Sequence, residues 1–134
     1  MRFLIDTQVF LFIFSELRSF KDEVRQFFED TDTNAFYVSY VSVWEASIKY
    51  GLGKLKLPEE PELFFSDRVR RAGYRHLPID LRHVARVHLL PLHHRDPFDR
   101  LLVSQARVED MTLISDDAVF AHYDIQTLKI RDIA

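Results

Sequence analysis

Apolar runs bounded by polar residues predict short buried strands with helices between them. Phe3-Leu4-Ile5 is a continuous apolar run, typical of a parallel strand that is buried on both faces. Ala35 to Ser39, with its Phe-Tyr-Val centre, predicts a second strand. Shorter runs predict strands at 76–79, 111–114 and 125–128. Strands that alternate with helices indicate an α/β fold, in which a parallel sheet carries helices on both faces.

Two helices are predicted between the first two strands. Thr7 begins a helix whose residues from Val9 to Phe14 are apolar on every side, so this helix is either fully buried or partly covered by another chain. Ser19 and Asp22 stand at the spacing of a capping box, which predicts that a second helix begins beside Ser19 and ends near Asp30.

The third predicted helix carries a charge beside its apolar face. Val41, Trp44 and Ile48 recur at helical spacing and predict its apolar stripe, and the helix is expected to stop at Gly51 and Gly53. Glu45 lies on the adjoining edge of the same stripe.

Pro61 and Asp80 mark the starts of two further helices. The first is expected to bury Phe65, Val69 and Ala72, and to expose a solvated stripe of Arg68, Arg71 and Arg75. The second is expected to end at Pro91 and to place Leu81, Val84, Ala85 and His88 on one side.

A strong helix start stands at Asp96-Pro97, because an aspartate can accept hydrogen bonds from unpaired N–H groups and proline has none to leave unpaired. Phe98, Leu101 and Leu102 then predict a largely buried helix. Its first turn also contains Asp99. Two interpretations stay open at this point: a capping box of two acids, or an acid that serves chemistry.

Length and composition limit the function classes. The 134 residues, 47% of them hydrophobic, predict a single domain over 1–134. No cysteine is present, which excludes disulfides and thiolate sites. The net charge of −3 gives no overall basic field, so any nucleic acid must be held by a local patch. The apolar run that ends at Phe14 is interrupted by Asp6 and is too short for a membrane span, so we expect a cytoplasmic protein without membrane contact.

Several acids are expected at one edge of the predicted sheet. Asp6 follows the first strand, Glu45 and Asp99 lie on helices, and Asp116 and Asp117 follow the 111–114 strand. Each can serve merely as a helix starter or a solvated residue. Together they favour a site for a hard divalent ion, Mg²⁺ or Mn²⁺, at the carboxyl ends of the strands. Such a site suits phosphodiester hydrolysis. The three glycines form no phosphate loop, and there is no serine-hydrolase elbow.

Several motifs along the chain form a recognisable set: Asp6-Thr7, Trp44-Glu45, Gly53-Lys54-Leu55, the block from His93 to Leu102, and Ser115-Asp116-Asp117-Ala118-Val119-Phe120. With these motifs the chain resembles the PIN domain, and in particular the VapC-type toxins of prokaryotic toxin-antitoxin pairs. The resemblance covers nearly the whole chain.

The resemblance implies a PIN-like fold and a metal-dependent endoribonuclease with the acids Asp6, Glu45, Asp99 and Asp117. Asp99 is preferred to Asp96 because the family's acid directly precedes the Leu-Leu-Val helix, and Asp117 is preferred to Asp116 because it stands three residues before Phe120. Asp116 replaces a residue that is often basic in the family and is a further candidate ligand.

Other residues near these motifs are candidates for contact with phosphate or for orienting the acids: Thr7, Lys49, Lys54, Arg95, Arg100 and Ser115. His93 and His94 are expected at the surface or on substrate and not on a metal, since neighbouring side chains diverge. The resemblance also implies an antitoxin partner, docked against the apolar N-terminal helix, and a homodimer.

Two alternatives to a nuclease are kept. One is a non-catalytic module of the same fold that binds RNA or protein, against which the complete acid set argues. The other is a phosphoryl-transfer domain with Asp6 as nucleophile, which would need a second aspartate two residues later, where Gln8 stands.

Overall fold

Helices and strands alternate in the computed structural model, which describes residues 1–16 and 19–133. They are β1 (Arg2–Ile5), α1 (Thr7–Glu16), α2 (Asp22–Glu29), β2 (Ala35–Ser39), α3 (Tyr40–Gly51), α4 (Pro61–Ala72), β3 (Arg75–Leu77), α5 (Leu81–Ala85), α6 (Pro97–Glu109), β4 (Thr112–Ile114) and β5 (Thr127–Leu128). Short 3-10 turns span Val87–Leu89, Ala118–His122 and Ile130–Asp132.

The strands form one parallel sheet in the order β3-β2-β1-β4-β5. β1 lies at its centre, and Ile5 is in register with Val38 of β2 and Ile114 of β4. Because all strands run the same way, their carboxyl ends share one edge, where Asp6 begins α1. The predicted α/β fold is therefore confirmed.

Apolar side chains fill both faces of the sheet. Phe3 and Ile5 of β1 pack on one side with a cluster rich in phenylalanine from α1, α2 and α4. Leu4 packs on the other side with residues of α6 such as Leu102. No helix among the described residues is long and apolar enough to cross a membrane.

The interpretation of Ser19 as a helix cap is wrong. α2 begins at Asp22, with Lys21 as the N-cap residue, and the Lys21 side chain makes no capping hydrogen bond. Asp22 and Glu23 instead place two carboxylates in the first turn, where the helix dipole favours negative charge.

Two helices expose much of the apolar side that the sequence predicted. In α3, Trp44 and Ile48 are exposed, whereas Glu45 and Ala46 are buried. In α5, Leu81 and Val84 are exposed and His83 is buried instead. In both helices a polar side chain is buried because it has a hydrogen-bond partner, which is Lys49 for Glu45 and Glu109 for His83.

The extents of several elements differ from the prediction, including those of β3, β4 and β5. α5 ends at Ala85 and a 3-10 turn follows it before Pro91. Arg75 lies in β3 and not on the helix of Arg68 and Arg71. The predicted helix after Asp117 is a 3-10 turn.

Candidate metal and active site

The predicted acids line one cavity of about 420 Å³ at the carboxyl edge of the sheet. The carboxylates in its lining are Asp6, Glu45, Asp96, Asp99, Asp116 and Asp117. The other lining residues are Gln8, Val9, Phe12, Lys49 and Ile130. Among the lining residues of the described chain, Lys49 is the only cation beside six carboxylates.

Asp6 is held at the end of β1 by the neighbouring strand. Its backbone N–H donates to Ile114 O at 3.0 Å, and its Oδ2 accepts a hydrogen bond of 2.7 Å from the Ser115 hydroxyl. Burial raises the pKa of the Asp6 carboxyl, and the charges of Glu45 and Asp117 raise this pKa further, while the Ser115 hydrogen bond lowers it. Ser115 therefore orients a carboxylate, one of the two roles considered for it.

Asp96 and Asp99 have different tasks in the same helix turn. Asp96 Oδ1 accepts hydrogen bonds from the backbone N–H groups of Phe98 at 2.9 Å and Asp99 at 3.2 Å, so Asp96 caps α6. The Asp99 carboxylate makes no reciprocal capping bond among the described residues, and its Oδ2 lies 2.8 Å from His94 Nε2. The capping-box interpretation of Asp99 is wrong, which leaves this carboxylate available to the cavity.

The surroundings of Asp99 disfavour its ionised form. Burial raises the pKa of Asp99 to about 6, and the charges of Asp96, Asp6 and Glu45 add to this effect while the hydrogen bond with His94 opposes it. A carboxylate that titrates so far above its ordinary value is typical of functional sites.

His94 is the residue near the cavity whose role the sequence did not reveal. It is partly buried behind Asp99, whereas its neighbour His93 is exposed and packs against the rings of His122 and Tyr123. The available signal was its position two residues before the cap Asp96, which places it at the first turn of α6.

Glu45 enters the cavity from α3 together with the lysine one turn later. Glu45 is only 6% exposed, and its Oε2 accepts a hydrogen bond of 2.8 Å from Lys49 Nζ. This hydrogen bond raises the pKa of Lys49, and the charges of Asp96 and Asp99 act in the same direction. Lys49 thus lies among the acids as a partial counter-ion.

Asp116 and Asp117 both line the cavity, but they are bound differently. Asp116 Oδ1 accepts the backbone N–H of Ile130 at 2.8 Å, which ties the C-terminal segment to the site. Asp117 Oδ1 accepts the N–H of Val119 at 3.0 Å. Of the two, it is the charge of Asp117 that raises the pKa of Asp6.

Four of the polar candidates are engaged in other contacts or lie away from the acids. The Thr7 hydroxyl donates to Ser42 Oγ at 2.7 Å and is buried, so it is used in packing α1 against α3. Arg100 donates to three backbone carbonyls, those of Val87, Leu90 and Pro91, and is therefore not free to bind phosphate. Lys54 and Arg95 are exposed and do not line the cavity.

A profile of the PIN domain matches residues 3–126. The chain belongs to the PIN domain family. In sequence it is 39% identical over 64 residues to ribonuclease VapC16 of Mycobacterium tuberculosis. That alignment covers 48% of this chain and 45% of the relative, so the chain matches less than half the length of this curated protein.

Solved structures share the PIN fold over nearly the whole chain. VapBC of Salmonella typhimurium, in a DNA-bound complex, has a TM-score of 0.73 at 15% identity, with 97% of this chain and 98% of that chain covered. VapBC2 of Rickettsia felis, bound to a fragment of its promoter, gives 0.71 at 15%, with 96% and 98% covered. A toxin-antitoxin complex of Klebsiella pneumoniae gives 0.58 at 16%, with 95% and 96% covered. At these identities the likeness establishes the fold.

The donor set of this PIN domain fits a hard divalent cation. Its cavity presents carboxylate oxygens, no sulfur, and acids whose pKa values are raised by burial and mutual repulsion. Among the described residues, His94, Asp96 and Asp99 offer ligand atoms within 4.8 Å of one another. Asp6, Glu45, Asp99 and Asp117 are spread around the cavity, and no three of them form a group as tight as this.

Proposed function

We propose that the chain is a Mg²⁺- or Mn²⁺-dependent endoribonuclease, and that it acts in the cytoplasm as the toxin of a toxin-antitoxin pair. The observation that carries the proposal is the convergence of six carboxylates with one lysine on a single cavity. Carboxylates placed this way repel one another unless a cation offsets their charge. The partial similarity to a protein named as a ribonuclease supports the choice of RNA.

Asp6, Asp99 and Asp117 are the proposed metal ligands, and Glu45 would bind a second ion or position water. Asp116 remains a further candidate ligand. A bound divalent ion lowers the pKa of a water molecule and neutralises the charge on the phosphate. Ser115 fixes one oxygen of Asp6, and the contact with His94 fixes one oxygen of Asp99, so that the other oxygen of each stays available to the cavity. Through these two contacts the protein orients the carboxylates of Asp6 and Asp99.

Lys49 is the proposed contact for the substrate phosphate. Its ammonium group lies at the cavity in a bond with Glu45 and is partly exposed. Lys54 and Arg95 are proposed as peripheral phosphate contacts along the strand, because both are exposed cations near the motifs. Arg100 is left out of this set.

The proposed partners are a cognate antitoxin and a second copy of the chain. Structural neighbours include a complex described as toxin-antitoxin, which motivates the antitoxin. The exposed apolar side chains of Tyr40, Trp44 and Ile48 on α3 are consistent with a covered surface.

A cleavage assay on mixed single-stranded RNA tests the proposal. Purified protein is incubated with Mn²⁺ or Mg²⁺, and parallel reactions receive EDTA. We expect cleavage that requires the metal and disappears in an Asp6→Asn variant purified in the same way. RNA that is bound but never cleaved would favour the non-catalytic module, and equal cleavage by both proteins would mark a contaminating nuclease.

A further inference from the structure

One part of the cavity lining has no task in metal binding. Beside the acids and Lys49, the cavity is lined by Gln8, Val9, Phe12 and Ile130. The first three of these belong to α1, the helix that begins directly after Asp6. The lining therefore divides by chemistry into a carboxylate part and an apolar part with one amide.

Phe12 is exposed although the residues immediately before and after it in α1 are not. Its exposed fraction is 44%, whereas Phe10 and Ile13 of the same helix are buried. Among the described residues that line the cavity it is the only aromatic one. Its ring packs against Phe20, with 5.2 Å between the ring centroids. Because Phe20 already holds the Phe12 ring in place, a base that stacks on it costs little additional side-chain entropy.

Gln8 lies one helical turn before Phe12 and therefore on the same face of α1. It is exposed, and its amide makes no hydrogen bond to another described residue. An amide offers both a donor and an acceptor. An aromatic face and a free amide are the two groups with which proteins hold an unpaired nucleobase, the first by stacking and the second along the base edge.

A ribonucleotide has the same two-part chemistry as this cavity, an anionic phosphate joined to a flat apolar base. The cavity volume of about 420 Å³ is also within the usual size of a small-molecule site. We propose that Phe12 and Gln8 form a nucleobase subsite, which stacks and hydrogen-bonds the base adjoining the phosphate at the acids. This inference rests on the proposed function and deepens it, because only an unpaired base can stack there, and the substrate class becomes single-stranded RNA.

Binding to an RNA that reports stacking tests the subsite without relying on cleavage. The probe is a short single-stranded oligoribonucleotide of 2-aminopurine, whose fluorescence changes when its base stacks, mixed with protein in Ca²⁺. Wild type should change the fluorescence, Phe12→Trp should preserve the effect, and Phe12→Leu should lose it with about 5- to 100-fold weaker binding. Gln8→Ala should weaken binding by a smaller factor.

Kinetics on a labelled random RNA pool with Mn²⁺ give the second readout. Phe12→Leu should raise KM by a similar factor while kcat changes little. Tyr50→Leu is the matched control, because Tyr50 is an exposed aromatic residue of α3 outside the cavity, and it should leave both constants unchanged. Circular dichroism of each variant confirms that it is folded.

Two results separate the subsite from the proposed function. If wild type cleaves RNA and Phe12→Leu has the same KM and the same fluorescence response, the subsite is refuted and the nuclease stands. If wild type does not cleave RNA, the proposed function fails, and an equal fluorescence response of wild type and Phe12→Leu then refutes the subsite as well.

Discussion

Two clusters of carboxylates in this molecule are held in opposite ways. The first is the acid cavity. The second, here called the His83 cluster, consists of Asp80, Arg82, His83 and Glu109 and joins α5 to the end of α6. Arg82 Nη2 lies 3.0 Å from Asp80 Oδ2 and 3.1 Å from Glu109 Oε2, and His83 Nε2 lies 2.9 Å from the same Glu109 oxygen. Each carboxylate of the His83 cluster therefore has a cation or donor.

The pKa of Asp80 in the His83 cluster is shifted in the opposite direction to the pKa values of Asp6 and Asp99 in the acid cavity. In the His83 cluster, the hydrogen bond from Arg82 lowers the pKa of Asp80. In the acid cavity, burial raises the pKa of both Asp6 and Asp99. The His83 cluster is stabilised by its own charge pairs, whereas burial and neighbouring charges disfavour the ionised forms of Asp6 and Asp99 in the acid cavity. Carboxylates that a fold keeps close together with a single cation among them are the ones to examine for function.

Ligand spacing alone does not distinguish the two clusters. Asp80, His83 and Glu109 also offer ligand atoms within 4.8 Å of one another. However, His83 Nδ1 accepts the backbone N–H of Asp80 at 3.0 Å, so the proton of the neutral ring lies on Nε2 and faces Glu109. A metal bound at Nε2 would require the ring proton on Nδ1, where it would face the backbone N–H of Asp80, which is itself a donor. The His83 cluster therefore has a structural role, which is to hold α5 against the end of α6.

The largest expected effect separates Asp99 from its neighbour in the cap. Asp99→Asn removes a charged ligand at nearly constant size, and RNA cleavage at saturating Mn²⁺ should fall by more than about 100-fold. Asp96→Asn is the matched control, because asparagine caps a helix about as well as aspartate, and its loss should be far smaller. Near-normal cleavage by Asp99→Asn would remove Asp99 from the catalytic set.

A change in the His83 cluster should affect stability and leave metal binding intact. His83→Ala deletes a side chain that is 1% exposed and leaves Asp80 N–H and Glu109 without this partner. The free energy of unfolding, from urea melts, should fall by about 2–4 kcal/mol. Leu81→Ala, on the same helix but 80% exposed, should change it by less than about 0.5 kcal/mol. A loss of Mn²⁺ affinity in folded His83→Ala would contradict the comparison.

The stability of the metal-free protein should depend on pH because the pKa of Asp99 is raised. Its pKa of about 6 lies above the ordinary value of 3.8, so the folded state holds a proton that the unfolded state has released. The stabilisation is therefore complete below about pH 4 and is lost as pH rises through 6. In EDTA, the free energy of unfolding should fall by about 2 kcal/mol more for wild type than for Asp99→Asn over this pH range, after allowing for solvent screening. An identical pH profile for both proteins would exclude this raised pKa.

The smallest expected effect concerns the two adjacent histidines. His94→Ala removes the group that lies 2.8 Å from Asp99 Oδ2, and Mn²⁺ affinity measured by calorimetry should fall about 10-fold. His94→Gln, which keeps a donor, should recover part of the loss. His93→Ala should bind Mn²⁺ like wild type because His93 contacts other rings. Equal affinities for His94→Ala and His93→Ala would show that the contact with Asp99 does not prepare the ligand.

Local signals in the sequence were enough to predict most of the fold. Asp96-Pro97 starts α6 as predicted, and β2 has the predicted bounds, because capping and apolar runs act between near neighbours. Helical periodicity did not predict the buried residue of α5, because a polar side chain is buried there by a partner far away in the sequence. His83 is buried against Glu109, which is 26 residues away, and no spacing rule within α5 reveals that contact.

The site was predictable to the extent that topology places residues. The carboxyl ends of parallel strands bring Asp6 and Asp117 to one cavity, and the resemblance to the PIN domain selected Glu45 and Asp99. Side-chain partners were not predictable. The carbonyls that bind Arg100 and the contact between His94 and Asp99 depend on how a loop folds against the start of α6.

The most direct test of the account is the melting temperature in a titration of Mn²⁺. If the acid cavity is strained until a cation binds, the melting temperature of wild type should rise with Mn²⁺ concentration, because the ion binds the folded state. The rise should disappear in Asp99→Asn and persist in His83→Ala, whose starting temperature is lower. A wild-type melting curve that does not move across wide titrations of both Mn²⁺ and Mg²⁺ would contradict the metal site on which the account depends.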